Sequence, residues 1–428
     1  MPTPAPPATR PPFWQPYHTV WAILFLGWLA TGVIRNALSP LLPAIRSEFG
    51  LTFGQAGDLA TAYFIAYAGM QLLGGYAGDR WGRKQMLVWG GALTTLATLG
   101  TAAAWSPAAL FGARLTVGLA HGMFFGSDRP LISAATPPAR MGVGQGLSFA
   151  GLGFGVWLGT AAAGFLNGLL PWRGVFAVLA VFPAAAAALI ALRIREPARP
   201  AAPHAAPPVF RPAVASGDLW LLYVAGLTPS FSQWVIGTWG PAILMEAGAG
   251  DMARASFYAG LFGLMAMPGL LTFGALSDRM AARGLGRKFV AASGYLALAA
   301  DMGALAVGIS LGAPYWALVP LVAMVGALTW GPWAAIHALF SHMVPPRIHG
   351  TAFGLMNGCA MVGSVLGPAV SGRLRDAGGS FAMACLVAAG LAALGALLVV
   401  AVRPAFRLGP EVAVADKAPD APLQGSAG

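Results

Sequence analysis

Long apolar runs separated by short polar turns fill most of the chain. They predict membrane-spanning helices at roughly 19–45, 55–78, 85–105, 108–134, 144–169, 173–193, 218–245, 255–277, 288–312, 314–341, 351–374 and 381–403. Each reaches about 30 Å of hydrocarbon at about 1.5 Å of rise per residue. Between the sixth and seventh runs, residues 197–208 are too rich in proline to be helical and read as an extended linker. The pattern therefore divides the chain into an N-terminal tail (1–18), a six-helix half (19–193), a Pro-rich linker (194–217), a second six-helix half (218–405) and a polar, disordered tail (406–428).

The two halves echo each other. Gly75-Tyr76-Ala77-Gly78-Asp79-Arg80-Trp81-Gly82-Arg83-Lys84 returns, weakened, as Gly274-Ala275-Leu276-Ser277-Asp278-Arg279 followed by Arg283-Gly284-Leu285-Gly286-Arg287-Lys288. Gly142, Gly146, Leu147, Gly155, Gly159 and Gly164 recur as Gly350, Gly354, Leu355, Gly363, Gly367 and Gly372, all at an offset of 208. Small residues one helical turn apart let backbones approach closely inside a bilayer. Each glycine run is weak alone, and the fixed offset is what makes the pair informative. A duplicated, all-α membrane bundle of twelve helices follows, the architecture of secondary carriers.

Composition agrees with this. Mean hydropathy is +0.70 and only 9% of residues are charged, against about 25% in a soluble domain. The net charge of +11 sits in turns between apolar runs, so it sets topology and does not signal nucleic acid. Arg46, Arg173, Arg254, Arg373 and Arg375 fall on one side, Arg35 and Arg114 within spans, and the remaining basic residues on the other side with both termini. That side is expected to be cytoplasmic, in a multi-pass protein of a bacterial-type inner (plasma) membrane. No cleavable leader is expected in the polar, Pro-rich residues 1–13. Cys359 and Cys385 lie in apolar runs without metal-ligand spacing. A Walker loop, a nucleophile–base pair and zinc-type spacing are all missing, and Gly151-Leu152-Gly153-Phe154-Gly155 lies within a span. An enzyme is not expected, nor is a cofactor or metal.

At these motifs the chain resembles the major facilitator superfamily over nearly its full length. The turn after span two matches that family's Gly-x-x-x-Asp-Arg-x-Gly-Arg-Lys signature, Gly112–Gly118 its span-four motif, and Trp172-Arg173-Gly174-Val175-Phe176 the loop opening span six. Arg35-Asn36-Ala37-Leu38-Ser39, Trp239-Gly240-Pro241 and Gly354-Leu355-Met356-Asn357 resemble the anion:cation symporter branch, which carries organic anions. The resemblance implies that Arg35 binds a substrate carboxylate and that Arg114 serves proton coupling. It also implies that Tyr67 reaches substrate, with Tyr63 one turn above it. Where the branch often has acidic residues, this chain has Ile34 and His121; where sugar-acid carriers have a glutamine, it has Leu152. An apolar wall there points to an anion with few hydroxyls.

Several of these residues are singled out by physical chemistry as well. Arg35 sits near mid-membrane, where a charge costs at least about 2.5–3.5 kcal/mol, so it faces a cavity, Asp58 or a backbone carbonyl. For Arg114, hydrogen bonds to carbonyls are the equal alternative. His121 takes up a proton near neutral pH or is a packing histidine. Asp58, Asp128, Asp301 and His337 are further titratable candidates, with an ion pair to Arg129 the plain account of Asp128. Tyr63, Tyr67 and Gln71 share a helix face. Ser230, Gln233, Trp234, Trp330, Trp333, His337 and Asn357 are candidate cavity residues because Trp239-Gly240-Pro241 and Trp330-Gly331-Pro332-Trp333 are expected to interrupt their helices. The charged turns (Asp79, Arg80, Arg83; Asp278, Arg279, Arg287) are expected to latch the cytoplasmic gate.

Taken together, these residues predict a monomeric, proton- or sodium-coupled importer of a small organic anion. A proton-linked exporter and a non-transporting nutrient sensor are the alternatives. The exporter signature Gly-x-x-x-Gly-Pro is missing from span five, where Val156 follows Gly155, and occurs instead at 363–368.

Overall fold

A computed structural model describes residues 14–196, 210–344 and 349–403. The N-terminal half comprises α1 (Pro16–Asn36), α2 (Leu38–Phe49), α3 (Phe53–Trp81), α4 (Arg83–Ala102), α5 (Pro107–Ala135), α6 (Met141–Asn167), α7 (Trp172–Leu179) and α8 (Val181–Arg193). After the short α9 (Phe210–Ala215), the second half comprises α10 (Gly217–Glu246), α11 (Met252–Ala282), α12 (Arg287–Ser310), α13 (Tyr315–Met343), α14 (His349–Gly378) and α15 (Ala382–Ala401). Side-chain caps fix several starts. Thr52 accepts from the Gln55 amide while the Gln55 side chain accepts from the Thr52 amide, and Ser106, Ser216 and Asp251 cap α5, α10 and α11.

Among the described residues, ten helical stretches are long and apolar enough to cross a membrane. α3 and α4 occupy the second and third predicted positions without passing that test, their apolar runs being diluted by Thr, Gln and Gly. The first predicted span is α1 running into α2, and the sixth is α7 running into α8. Large apolar side chains face outward, among them Leu96, Leu192 and Leu397, while Trp105 and Trp316 are exposed at one end of the bundle and Trp14 and Trp220 at the other. That is the arrangement of a lipid-facing belt with aromatic ends.

Three expectations change. Residues 210–215 of the predicted linker form α9, which is held by Tyr223 donating to the Ala213 carbonyl (3.0 Å); the Pro-rich 197–209 lies outside the described residues, as does the tail after 403. α1 begins at Pro16, inside the predicted N-terminal tail, because proline suits a first helical turn. Neither Gly-Pro pair interrupts its helix. α10 continues through Pro229 and Pro241, and α13 through Pro320 and Pro332. Tight packing explains this: a side chain at Gly331 would meet Phe273, and one at Gly240 would meet Ala259. Tertiary contacts thus hold helices whose prolines each remove one backbone hydrogen bond.

The glycine echo has a structural meaning. A methyl at Gly151, Gly155 or Gly159 of α6 would strike the carbonyls of Phe25, Leu29 or Val33 in α1, and one at Gly363 of α14 would strike that of Leu227 in α10. The last glycines of the two runs instead reach across the halves: Gly164 meets Ser256 of α11, and Gly372 meets the Phe53 carbonyl of α3. The halves pack along α6–α11 and α3–α14, with α2 on α10.

Candidate functional site

Arg35 lies in the last turn of α1, just before the junction with α2. Its guanidinium covers the ring of Trp234, from α10 of the other half, at 4.9 Å, and that ring packs on Phe64 of α3 at 4.3 Å. Nearby, Ser39 donates across the halves to the Thr238 carbonyl at 2.6 Å. Asp58 is not its partner: Arg373 of α14 grips both Asp58 oxygens at 3.0 Å each. Two small cavities border Arg35. Ser39, Tyr63, Arg114 and Thr238 help line the first. The second is more apolar, with Phe149, Leu152, Gln233, Phe262 and Trp330.

Arg114 is 1% exposed, and its Nε and Nη1 have no hydrogen-bond partner among the described residues. The carbonyl-bonded alternative therefore fails for these two atoms. Its guanidinium stands 5.3 Å from the Tyr63 ring. Tyr63 stacks on Tyr67 (5.6 Å, 12°), and its hydroxyl is 3.0 Å from His121 Nδ1. Arg114 and His121 are seven residues apart on one face of α5. A cation, a phenol and an imidazole thus form one buried group beside the seam. Asp128 is also fully buried, but it is engaged: Trp28 donates to it at 2.7 Å and Arg129 pairs with it at 2.7 Å. Gln145 in turn holds Arg129.

Of the second-half candidates, Gln233, Trp234 and Trp330 face these cavities. His337 instead packs between Trp333 (5.0 Å, edge-on) and Phe353 (4.7 Å, tilted) within its own half, and Asn357 is half-buried on α14; neither lines the two cavities. Trp239 also sits elsewhere. It packs on Phe53 and Phe381 and donates to the Pro368 carbonyl at 3.2 Å, near the end of the bundle opposite the chain termini.

That far end holds residues the sequence reading passed over. Asp376 of α14 accepts from the first two amides of α3, Phe53 (2.9 Å) and Gly54 (2.8 Å), so a carboxylate from one half caps a helix of the other. Phe53 is flanked by Arg46 (3.4 Å) and Arg375 (4.9 Å), and Arg375 also pairs with Glu246. Glu48 receives Trp172 and Arg173 (2.7 and 2.6 Å) within the first half.

At the near end the charged turns bond within their own halves. Arg287 pairs with Asp278 (2.7 Å) and donates to Ser277 (3.0 Å). Glu196 accepts from the backbone amides of Arg83 and Lys84, capping α4. Arg80 and Arg279 are exposed, and the Asp79 side chain lies outside the described part of the structure.

Known proteins give this geometry a family. The chain is 27% identical over 424 residues to a probable sulfoacetate transporter, SauU, of Cupriavidus necator, covering 90% of this chain and 94% of that protein. It is 28% identical to the 3-(3-hydroxy-phenyl)propionate transporter of Escherichia coli, over 83% of this chain and 86% of that one. Among solved structures, a D-xylose-proton symporter superposes with a TM-score of 0.71 at 18% identity, covering 90% and 97% of the two chains, and so shares the fold. The Major Facilitator Superfamily model matches residues 24–332, and this chain, a duplicated helical bundle, belongs to that superfamily.

Proposed function

We propose that the protein imports a small organic anion with few hydroxyls across a bacterial-type inner membrane, by cation-coupled symport and alternating access. The observation that carries this reading is Arg35, held at the seam by Trp234 of the opposite half and bordering both cavities. A guanidinium fork offers a carboxylate two parallel hydrogen bonds. Phe149, Leu152 and Trp330 give the adjoining cavity an apolar wall suited to a hydrocarbon or aromatic body and poorly suited to sugar hydroxyls. Relatives named for sulfoacetate, hydroxyphenylpropionate and 4-hydroxybenzoate transport support the same class. Entry of an anion works against a membrane potential by about 2.3 kcal/mol per charge per 100 mV, so accumulation needs a co-transported cation, H⁺ or Na⁺.

In this reading both termini are cytoplasmic, the far end is the outer gate, and the structure is closed on that side. Tyr63, Tyr67, Gln233 and Trp234 surround the substrate. Arg114 and His121 handle the coupling proton, and Asp58 belongs to the outer gate through Arg373. Asp79 and Asp278, with their basic neighbours, latch the inner gate in the opposite state.

The test is thermal stability and counterflow of the purified protein with a panel of organic anions and cations, beside Arg35→Gln. A carboxylate is expected to stabilise the parent and not the variant, with uptake driven by an imposed proton or sodium gradient. Stabilisation by apolar cations alone, or equal effects of anions on both proteins, would move the assignment to export.

A further inference from the structure

Several other arginines in the structure have carboxylate partners. Arg129 has Asp128, Arg173 has Glu48, Arg287 has Asp278, Arg373 has Asp58 and Arg375 has Glu246. Arg114 is the most deeply buried of them all, and among the described residues it has none. Its neighbours are the Tyr63 face and a cavity it shares with Arg35, whose own flat neighbour is Trp234. Among the described residues no aspartate or glutamate lines that cavity, and His121, on the same face of α5, bonds to the Tyr63 hydroxyl. The first half therefore presents two guanidiniums to one space without a side-chain anion to balance either.

Aromatic faces relieve part of this charge, by about 0.5–2 kcal/mol each. They do not supply hydrogen-bond acceptors for the free Nε and Nη1 of Arg114, and buried donors without acceptors are costly. A monoanion bound at Arg35 would still leave one buried positive charge unneutralised. We infer that the substrate is a dianion, with one anionic group on Arg35 and the second on Arg114. This deepens the proposed import of an organic anion and rests on it. Two charges separated by a short apolar spacer, as in a dicarboxylate or a sulfo-carboxylate, match two guanidiniums that border one cavity whose polar side is Ser39, Tyr63 and Thr238. The charge that usually comes from a protein carboxylate comes here with the cargo, so Arg114 is a specificity residue as well as a coupling candidate.

The experiment compares succinate, 3-sulfopropionate and butyrate, ligands of similar length, by calorimetry on the full-length protein in detergent at neutral pH. The parent is expected to bind the two dianions at least about thirtyfold more tightly than butyrate, the ratio that follows from leaving a buried charge unpaired. Arg114→Gln should abolish that preference by bringing the affinities for succinate and 3-sulfopropionate down to that for butyrate. Arg114→Lys, which keeps the charge, should retain most of the preference and controls for misfolding.

Equal binding of succinate and butyrate by the parent overturns the inference while leaving the carrier reading intact, provided both depend on Arg35. Butyrate binding that rises to the succinate level when chloride is added means that an inorganic anion supplies the second charge, and this also overturns it. If none of the three ligands binds and Arg35→Gln changes no ligand response across the wider panel, the organic-anion reading itself has failed.

Discussion

The two ends of the bundle are held by different kinds of contact. At the far end the bonds cross between the halves: Asp376 onto the α3 amides, Arg373 onto Asp58, and Gly372 against the Phe53 backbone. At the near end the charged turns are tied within a half, Arg287 to Asp278 and Glu196 to the start of α4. Between the ends, Thr61 still reaches across to the Val365 carbonyl at 2.7 Å, whereas an added methyl at Gly69, Gly354 or Gly358, nearer the termini, would meet open space. α3 and α14 therefore touch at one end and part at the other. A carrier that alternates needs its inter-half contacts on one side at a time, and the same sequence motif can be a brace in one state and a gate in the other.

The strongest way to break this asymmetry is steric. A valine at Gly372 would collide with the Phe53 carbonyl, which belongs to backbone and cannot rotate away. Overpacking of this kind costs about 1–3 kcal/mol, enough to shift a two-state balance by roughly five- to more than a hundredfold. Spin labels at the exposed Leu169 and Leu311, on opposite halves of the far end, should report a longer distance in Gly372→Val. The symmetry-related Gly164→Val, against Ser256, should do the same. An unchanged distance distribution in both would show that the far end is not closed by backbone contact.

Removing the polar latch should have a smaller effect in the same direction. Asp376→Asn weakens a two-amide cap, worth about 0.5–2 kcal/mol and at the low end here because the residue is exposed. Arg373→Gln removes an exposed pair whose share is smaller again, within about 0.2–1 kcal/mol. The two combined should open the far end partially, with the distance shift growing at high salt, since salt screens whatever exposed pairs remain, such as Arg375 with Glu246. If the double variant stays as closed as the parent at every salt concentration, packing alone holds the gate.

Much of this contrast was legible in the chain. The 208-residue offset marked α6 and α14 as equivalent helices with faces suited to close approach, but that these faces meet α1 and α10 is visible only in the fold, because glycine spacing does not name the partner helix. Tyr63 and Tyr67 were placed on one face by helical periodicity, and Arg35 at mid-span by counting residues. Asp376 was invisible because its partners are amides 323 and 322 positions away, and nothing local distinguishes it from a charge that merely ends a helix. His337 looked like a cavity residue because it follows a Gly-Pro pair on α13. The helix continues through that pair, and the imidazole packs against Phe353. Asp58 read as titratable for the same reason that Arg373 finds it: it lies at the start of a span, where a partner from the other half is close in space and distant in sequence.

The smallest expected effect is also the sharpest control. Asp278→Asn removes the Arg287 contact at the near end, but that contact closes within one half, so the inter-half distance at Leu169 and Leu311 should not move. Stability should stay within about 0.5 kcal/mol of the parent, as for an exposed surface change. If this aspartate latches the inner gate in the opposite state, as proposed, transport should nonetheless slow. A variant that folds normally, keeps the far end closed and yet turns over slowly would separate a gate from a brace. Full turnover in Asp278→Asn would assign the second charged turn to membrane topology alone.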